Sequence, residues 1–278
     1  MIKIFLTVRN RLAITKKCIH ALKVHSELPH QIYVYNNNTN YLLEEHFAYF
    51  MKAYEKRVIH QITFTTPETT FNAFSKAATC NFFGKQHNED PNKDKYSFLV
   101  MLDNDIIVTP GWDQIIRSAW KYVNKNKLTD VKVIGQQPGG IKGLVKVDHK
   151  ITDNITARIG KLGGSGLWSV RSNFFTDVGF LDLKQLVGQD KKHDQLYWRL
   201  MEQTTKGRPY IMGVKAKLGI HCGSEAGSVC NVLTRGRNKA GQVLNDIKFP
   251  EAEKTIDSYD FDKFYEKISK SERMLNDW

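Results

Sequence analysis

A doubly wound α/β fold, with a mostly parallel sheet flanked by helices, is the arrangement that this sequence of 278 residues predicts. Through the first half, apolar runs of strand length alternate with stretches whose apolar residues recur at helical spacing. That alternation builds parallel sheets through helical crossovers. One run, Tyr96 to Leu102, stops at Asp103-Asn104-Asp105, so a fully buried strand ends in two carboxylates. The second half is less regular and glycine-rich.

Ile2 to Val8 reads as the first strand. Arg11 to His25 carries Leu12, Ile14, Ile19, Leu22 and Val24 and reads as a helix. Gln31 to Tyr35 is a second strand, closed by an Asn-rich turn over Asn36, Asn37, Asn38, Thr39 and Asn40. Leu42 to Glu55 is helical and Val58 to Phe64 is a third strand. Thr70 to Phe83 is a helix with Phe71, Phe74, Ala77, Ala78 and Phe82 at its spacing, and the polar stretch Gln86 to Lys95 is an exposed, mobile loop. After the strand ending at Asp103, Trp112 to Asn124 is a helix and Val131 to Gln136 a strand. Gly163-Gly164-Ser165-Gly166 leads into a strand, Leu167 to Val170. Asp190 to Lys206 is a helix, Lys215 to His221 a short strand, and the last twenty residues, with Phe261, Phe264, Tyr265 and Ile268, an amphipathic helix. The glycine cluster precedes a strand rather than a helix, so it is a weak phosphate signal. It reads as room for a substrate to approach the backbone.

Two carboxylates at the rim of a sheet are costly unless a positive charge sits on them. A hard divalent cation shared with substrate phosphates is the simplest partner, although Asp-Asn-Asp is also good turn chemistry after a strand. In doubly wound sheets ligands bind at the carboxyl ends of the strands, where both the triplet and the Asn-rich turn fall.

Charged residues at 25% and hydrophobic residues at 41% are ordinary for a globular domain. No apolar stretch has the length of a membrane span, and the opening Met1 to Arg9 is too short and too charged for a secretory signal. Cys18, Cys80, Cys222 and Cys230 lack zinc-ligand spacing, and reduced thiols are expected. The expected location is therefore cytoplasmic, either soluble or peripheral at the inner face of a membrane. Lys and Arg number 41 against 29 acidic residues, a net charge of +12. The excess recurs in short clusters at Arg9/Arg11/Lys16/Lys17, Lys121/Lys125/Lys127, Lys142/Lys146/Lys150 and Arg235/Arg237/Lys239. Each alone reads as a solvated face; their recurrence points to a polyanionic partner, whether nucleic acid, anionic membrane or acidic glycan.

The motifs occur in a particular order. An opening strand, an Asn-rich turn after strand two, an acidic triplet before Pro-Gly-Trp, a glycine-rich strand with Trp168, an acidic helix start and a strand ending in His221 follow one another. That order resembles the GT-A (Rossmann-like) nucleotide-sugar glycosyltransferases and is similar to glycosyltransferase family 2, over residues 1 to 225. The resemblance implies a catalytic domain over 1–230, with a nucleotide-sugar half (1–110) and an acceptor half (111–230) in which the sheet is mixed, and a basic loop with a helical extension over 231–278. It implies that Asp103 and Asp105 are a DxD motif, Asp105 ligating Mn2+ or Mg2+ and Asp103 facing the ribose, with His221 a further metal contact. It assigns Thr7, Arg9 and the Asn36 to Asn38 turn to the nucleoside edge, and Lys76 and Asn81 to the helix facing base and ribose. Gly164, Ser165 and Trp168 resemble the acceptor-side strand, followed by the turn Asp177 to Asp182. Asp194 corresponds to the general base, with Asp190 in reserve. Two positions depart from the family pattern: Tyr35 or Asn36 stands where an Asp usually holds the base, and Gln189-Asp190 with His193-Asp194 replaces the usual Glu-Asp pair.

The implied activity is inverting, metal-dependent sugar transfer from a nucleotide-sugar, UDP-sugar favoured, to a hydroxyl on a polyanionic acceptor. The sharpest expectation is a hydroxymethylpyrimidine in duplex DNA, as for phage-type DNA glycosyltransferases. Arg235, Arg237, Lys239 and Lys142 to Lys150 would grip phosphates while Trp168 or Tyr197 stacks on the flipped base. A surface polysaccharide or lipid-linked glycan is the alternative acceptor. A non-catalytic nucleic-acid or glycan binder on the same scaffold is the reading from another class, favoured by the altered second-strand turn.

Overall fold

A computed structural model of the chain describes residues 1–9, 11–37, 39, 42–65, 76–136, 147–161, 166–182 and 193–221. In order, these form β1 (Ile2–Val8), α1 (Leu12–His25), β2 (His30–Asn37), α2 (Leu43–Glu55), β3 (Gln61–Thr65) and α3 (Lys76–Glu89). There follow β4 (Phe98–Asp103), β5 (Ile106–Val108), α4 (Trp112–Lys125), β6 (Val133–Gln136), β7 (His149–Lys150), β8 (Thr156–Gly160) and β9 (Leu167–Val170). α5 (Phe174–Val178), α6 (His193–Thr204), β10 (Ile211–Val214) and β11 (Gly219–His221) complete the described elements.

Nine of the described strands make one sheet in the order β3-β2-β1-β4-β9-β6-β10-β8-β7, and β5 pairs with β11 in a separate ribbon. β3, β2, β1 and β4 are mutually parallel. β9 runs antiparallel between β4 and β6, and β8 and β7 are antiparallel beyond β10. The expected mostly parallel sheet with a mixed second half is therefore the one observed.

Side-chain alternation along the strands fills two cores. Ile2, Ile4, Leu6 and Val8 of β1 and Phe98, Val100 and Leu102 of β4 face α1, α2 and α4. Phe5, Leu99 and Met101 face α3, α5 and α6. The Pro-Gly-Trp exit after the triplet docks the start of α4 on the end of α1. Trp112 is fully buried and donates from Nε1 to Ser26 Oγ at 3.1 Å. Asp113 Oδ2 accepts the backbone N–H groups of Glu27 and Leu28 at 2.9 and 2.7 Å. The Pro-Gly-Trp exit is thus an anchor between helices.

The chain steps outward from β1 to β2 to β3 with its helices on one face. It then returns through α3 on the other face to β4, on the opposite side of β1. The direction of winding reverses between β1 and β4, and a crevice opens at the carboxyl edge of such a switch point.

Several boundaries differ from expectation. β2 continues through Asn36 and Asn37, so the Asn-rich turn starts later, and β3 begins at Gln61 rather than Val58. Gln86 to Lys95 is not an open loop: α3 runs on to Glu89 and a short 3-10 turn spans Lys93–Lys95. Tertiary contacts hold this stretch. His87 is fully buried against Ser172, and Asp90 takes the ammonium of Lys3 at 2.9 Å, over the rings of Tyr96 and Tyr33. The last strand covers Gly219–His221, not Lys215 onward. The C-terminal amphipathic helix and the extension 231–278 lie outside the described residues.

Candidate functional site

β1 and β4 end side by side, with Thr7 in register with Asp103. The Asn104 N–H donates to Thr7 O at 3.1 Å and the Asp103 N–H to Gly166 O at 2.9 Å, so the triplet is stitched to the strands on both sides. Thr7 Oγ1 donates to Thr79 Oγ1 of α3 at 3.0 Å. The triplet thus lies at the switch point, half-buried at Asp103 and 7% exposed at Asp105.

The middle residue has its own task. Asn104 is buried, and its Nδ2 donates to Thr15 Oγ1 at 2.8 Å. Thr15 Oγ1 in turn donates to Arg11 O at 2.8 Å, and Arg11 Nη1 bonds Asp105 Oδ2 at 2.9 Å. A closed loop of contacts therefore ties the triplet to the start of α1. Arg11 caps that helix in a left-handed backbone conformation (φ 57°, ψ 56°), unusual for a residue with a Cβ and sustained by these tethers. Beneath it, burial and the charges of Asp105 and Asp103 push the Cys18 thiol well above its ordinary range, so it remains protonated and inert.

After the triplet the chain turns into β5, which pairs with β11 so that His221 sits opposite Ile106, the residue following Asp105. Two glycines make this possible. A Cβ on Gly166 would lie 2.6 Å from Ile106 Cδ1, and one on Gly219 would lie 2.8 Å from Ile106 Cγ2. Ile106 is clasped between two bare backbones, which sets the ribbon close against the edge of the sheet.

The structure thus brings Thr7, Asp103, Asp105 and the backbone of His221 to one place, and Arg9 follows β1 at the same rim. Asn36, next to last in β2, pairs with Val8 and is 1% exposed; its Oδ1 accepts from Thr39 Oγ1, and among the described residues its Nδ2 has no hydrogen-bond partner. The backbone places Lys76 first in α3 and Asp194 second in α6. α6 leads into β10, which runs parallel to β6, so the start of α6 lies at the carboxyl edge of the sheet. Asn38, Gly164, Ser165, Asp190, Arg235 and Arg237 lie outside the described residues.

Two expected site residues are corrected. Asn81 does not face a nucleotide. Only 4% exposed, it donates from Nδ2 to Leu181 O at 2.6 Å, and its Oδ1 accepts from Leu181 N at 3.1 Å and Tyr197 Oη at 2.6 Å. Its amide is consumed in pinning the chain at Leu181. Trp168 does not present an acceptor surface. It is 2% exposed and packed among Phe174, Tyr197 and Trp198, because alternation along β9 turns it into the second core. Tyr197 is equally buried, so neither ring can stack on a base. Arg11, Thr15 and Thr79 are the contributors that the sequence reading did not single out. For Arg11 the available signal was a basic residue at the start of the helix that follows the first strand of a doubly wound sheet.

No protein-family model matches the sequence, and no curated protein matches it. Solved structures do resemble its shape. S. aureus TarS is 10% identical with a TM-score of 0.49, over 78% of this chain and 36% of that one. TarS 1-349 in complex with UDP is 11% identical with a TM-score of 0.48, over 78% of this chain and 59% of that one. The mannosyltransferase PcManGT from Pyrobaculum calidifontis, in complex with GDP-Man and Mn2+, is 10% identical with a TM-score of 0.48, over 92% and 69%. The chain thus spans about a third of the TarS chain.

Among the described residues no cluster of three or more His, Cys, Asp and Glu side chains forms a metal cage. The donor set still suits Mg2+ or Mn2+, which keep several waters and bind through one or two carboxylates plus substrate phosphates. Among the described residues no helix is long and apolar enough to cross a membrane.

Proposed function

We propose that this chain is a glycosyltransferase that moves a sugar from a nucleotide-sugar, with a UDP-sugar favoured, to a hydroxyl group. One observation carries the reading. Two carboxylates, Asp103 and Asp105, stand at the switch point of a doubly wound sheet, and the ribbon carrying His221 is folded directly against them. This is where such sheets take nucleotides, and the carboxylates are the groups that a diphosphate's counter-ion requires. Residues 1–110 hold the donor and 111–230 the acceptor.

Asp103 receives the ribose and Asp105, with His221, holds a divalent ion. When bound, that ion supplies positive charge against the charge developing on the departing diphosphate. Asp194, in the first turn of α6, stays ionised with the help of the helix dipole. It takes the proton from the acceptor hydroxyl as that oxygen bonds to the anomeric carbon. The bond from that carbon to the diphosphate oxygen breaks, and its electron pair leaves with the nucleotide. A single displacement of this kind inverts the anomeric centre.

The net charge of +12 supports an anionic acceptor or an anionic surface that presents it. Burial of Trp168 and Tyr197 takes away the two rings expected to stack on a flipped DNA base, which favours a surface or lipid-linked glycan as the acceptor, reached from a soluble or peripheral position. The test is release of nucleoside diphosphate from UDP- and GDP-sugars with Mn2+ or Mg2+. The acceptors are anionic glycans, hydroxymethylated duplex DNA, unmodified DNA and none. Release that disappears in Asp105→Ala supports the reading, and dependence on hydroxymethylated DNA would restore the DNA acceptor. Tight nucleotide binding without release from any donor would assign the scaffold to binding alone.

A further inference from the structure

We propose that Arg11 binds the donor's diphosphate, and that its ion pair with Asp105 is the resting form of the site, exchanged when donor and cation arrive. The inference rests on the reading of Asp105 as a cation ligand, and it adds a residue to which no role has been assigned.

The geometry is specific. Arg11 Nη1 lies 2.9 Å from Asp105 Oδ2, with the Asp105 side chain 10% exposed and that of Arg11 26% exposed. A guanidinium carries five N–H donors, and among the described residues this is the one hydrogen bond that the Arg11 side chain makes. Among the described residues the remaining donors are unengaged, on a partly open group at the edge where a doubly wound sheet takes phosphates. Arg11 is also held from behind. Thr15 grips its carbonyl through both N–H and hydroxyl, at 3.1 and 2.8 Å, and Asn104 grips Thr15. Leu42 begins α2 in the same left-handed conformation, so it is the ion pair of the side chain with Asp105, not the backbone, that singles Arg11 out.

One carboxylate oxygen of Asp105 thus already carries a positive partner. A cation approaching without nucleotide competes with a guanidinium in a largely buried place, where charge pairs are strong. When diphosphate arrives with the cation, Arg11 has an alternative acceptor of the planar, multi-oxygen kind that its fork matches. Asp105 then changes partner without either charge being left bare. Cation and donor therefore bind interdependently, and an empty site takes up little metal.

The experiment measures Mn2+ binding by electron paramagnetic resonance, alone and with UDP, GDP or CDP, in wild type, Arg11→Gln, Arg11→Lys and Asp105→Asn, with thermal melts to confirm folding. Wild type should bind Mn2+ weakly alone and far more tightly with one of the nucleotides. Arg11→Gln should bind Mn2+ alone at least about tenfold more tightly than wild type, and nucleotide with Mn2+ at least about tenfold more weakly. Arg11→Lys should keep the weak metal binding and recover part of the nucleotide affinity, a rescue that a purely structural role would not produce. Normal cooperative binding in wild type with unchanged affinities in Arg11→Gln overturns the role of Arg11 alone. Failure of wild type to bind Mn2+ with any nucleotide overturns the cation reading of Asp105, and this inference with it. If Arg11→Gln does not fold, Arg11→Lys decides: full wild-type nucleotide affinity with strengthened metal binding overturns the proposal.

Discussion

Gly166→Ala is expected to disturb the candidate site from outside it. The new Cβ would lie 2.6 Å from Ile106 Cδ1 and 3.1 Å from Cγ1. Optimal carbon contacts are about 3.5–4.0 Å, so Ile106 must retreat by roughly 1 Å. It has little room to do so, being 5% exposed and pressed from another side by Gly219. Overpacking of this kind costs about 1–3 kcal/mol. Loss of glycine's freedom in the unfolded chain offsets about 0.4–1 kcal/mol, leaving a net loss of roughly 1–2 kcal/mol. Ile106→Val deletes the clashing Cδ1 and alone costs about 0.5–1.5 kcal/mol. The double variant should therefore be less destabilised than the two changes added together, by about 1 kcal/mol or more. Urea unfolding of the four proteins at neutral pH measures this coupling. Additivity within roughly 0.5 kcal/mol would refute the claim that Gly166 is required by the approach of Ile106. The same clash displaces the strand that follows Asp105, so Gly166→Ala should also weaken nucleotide binding.

Other outcomes follow from the same contacts. His46 is fully buried, with both ring nitrogens unpartnered among the described residues, and burial, aided by the charge of Lys16, lowers its pKa to about 4. The unfolded chain takes up this proton near pH 6.5 and the folded one only near 4, so stability falls as pH drops through that window. His46→Leu should gain on wild type by up to about 1.4 kcal/mol per pH unit there, and a pH-independent difference in urea midpoints would contradict this. Asp90→Ala leaves the buried ammonium of Lys3 facing Tyr33 and Tyr96 without its carboxylate, and should cost roughly 3 kcal/mol by thermal unfolding. Asn81→Ala should lower stability by about 1–3 kcal/mol, leaving Tyr197 Oη and two backbone groups of Leu181 unpaired. In isothermal titration it should leave the affinity for nucleotide nearly unchanged, as expected of a residue turned away from the crevice. Asp194→Asn should abolish sugar transfer while sparing nucleotide affinity, and retained turnover would remove Asp194 as the base.

The first half was legible in the sequence because its signals are local. β1 and β4 must be buried on both faces, so they read as unbroken apolar runs, and α1, α2 and α4 carry stripes at helical spacing. Placing the triplet at a strand end needed only the abrupt change from Leu102 to Asp103. Where tertiary contacts overrode local composition, the reading failed. Gln86 to Lys95 is polar enough to look like a loop, yet His87 and Asp90 find polar partners far away in the chain, Ser172 and Lys3. Asn81 and Trp168 show the same limit. An amide and an indole in an expected site motif suit either ligand or core, and side-chain alternation and helix phase, not residue type, turned both inward.

The sequence alone therefore determined the α/β class, the positions of most described elements and the carboxylates at the end of β4, because burial of apolar faces writes itself as periodicity. Only the tertiary structure decided that winding reverses between β1 and β4, that β11 carries His221 to Ile106, and that Arg11 closes on Asp105. Those three depend on which strands are neighbours and on two glycines that let a ribbon approach a sheet. Contacts between residues distant in the chain leave no period in the sequence from which they could be read.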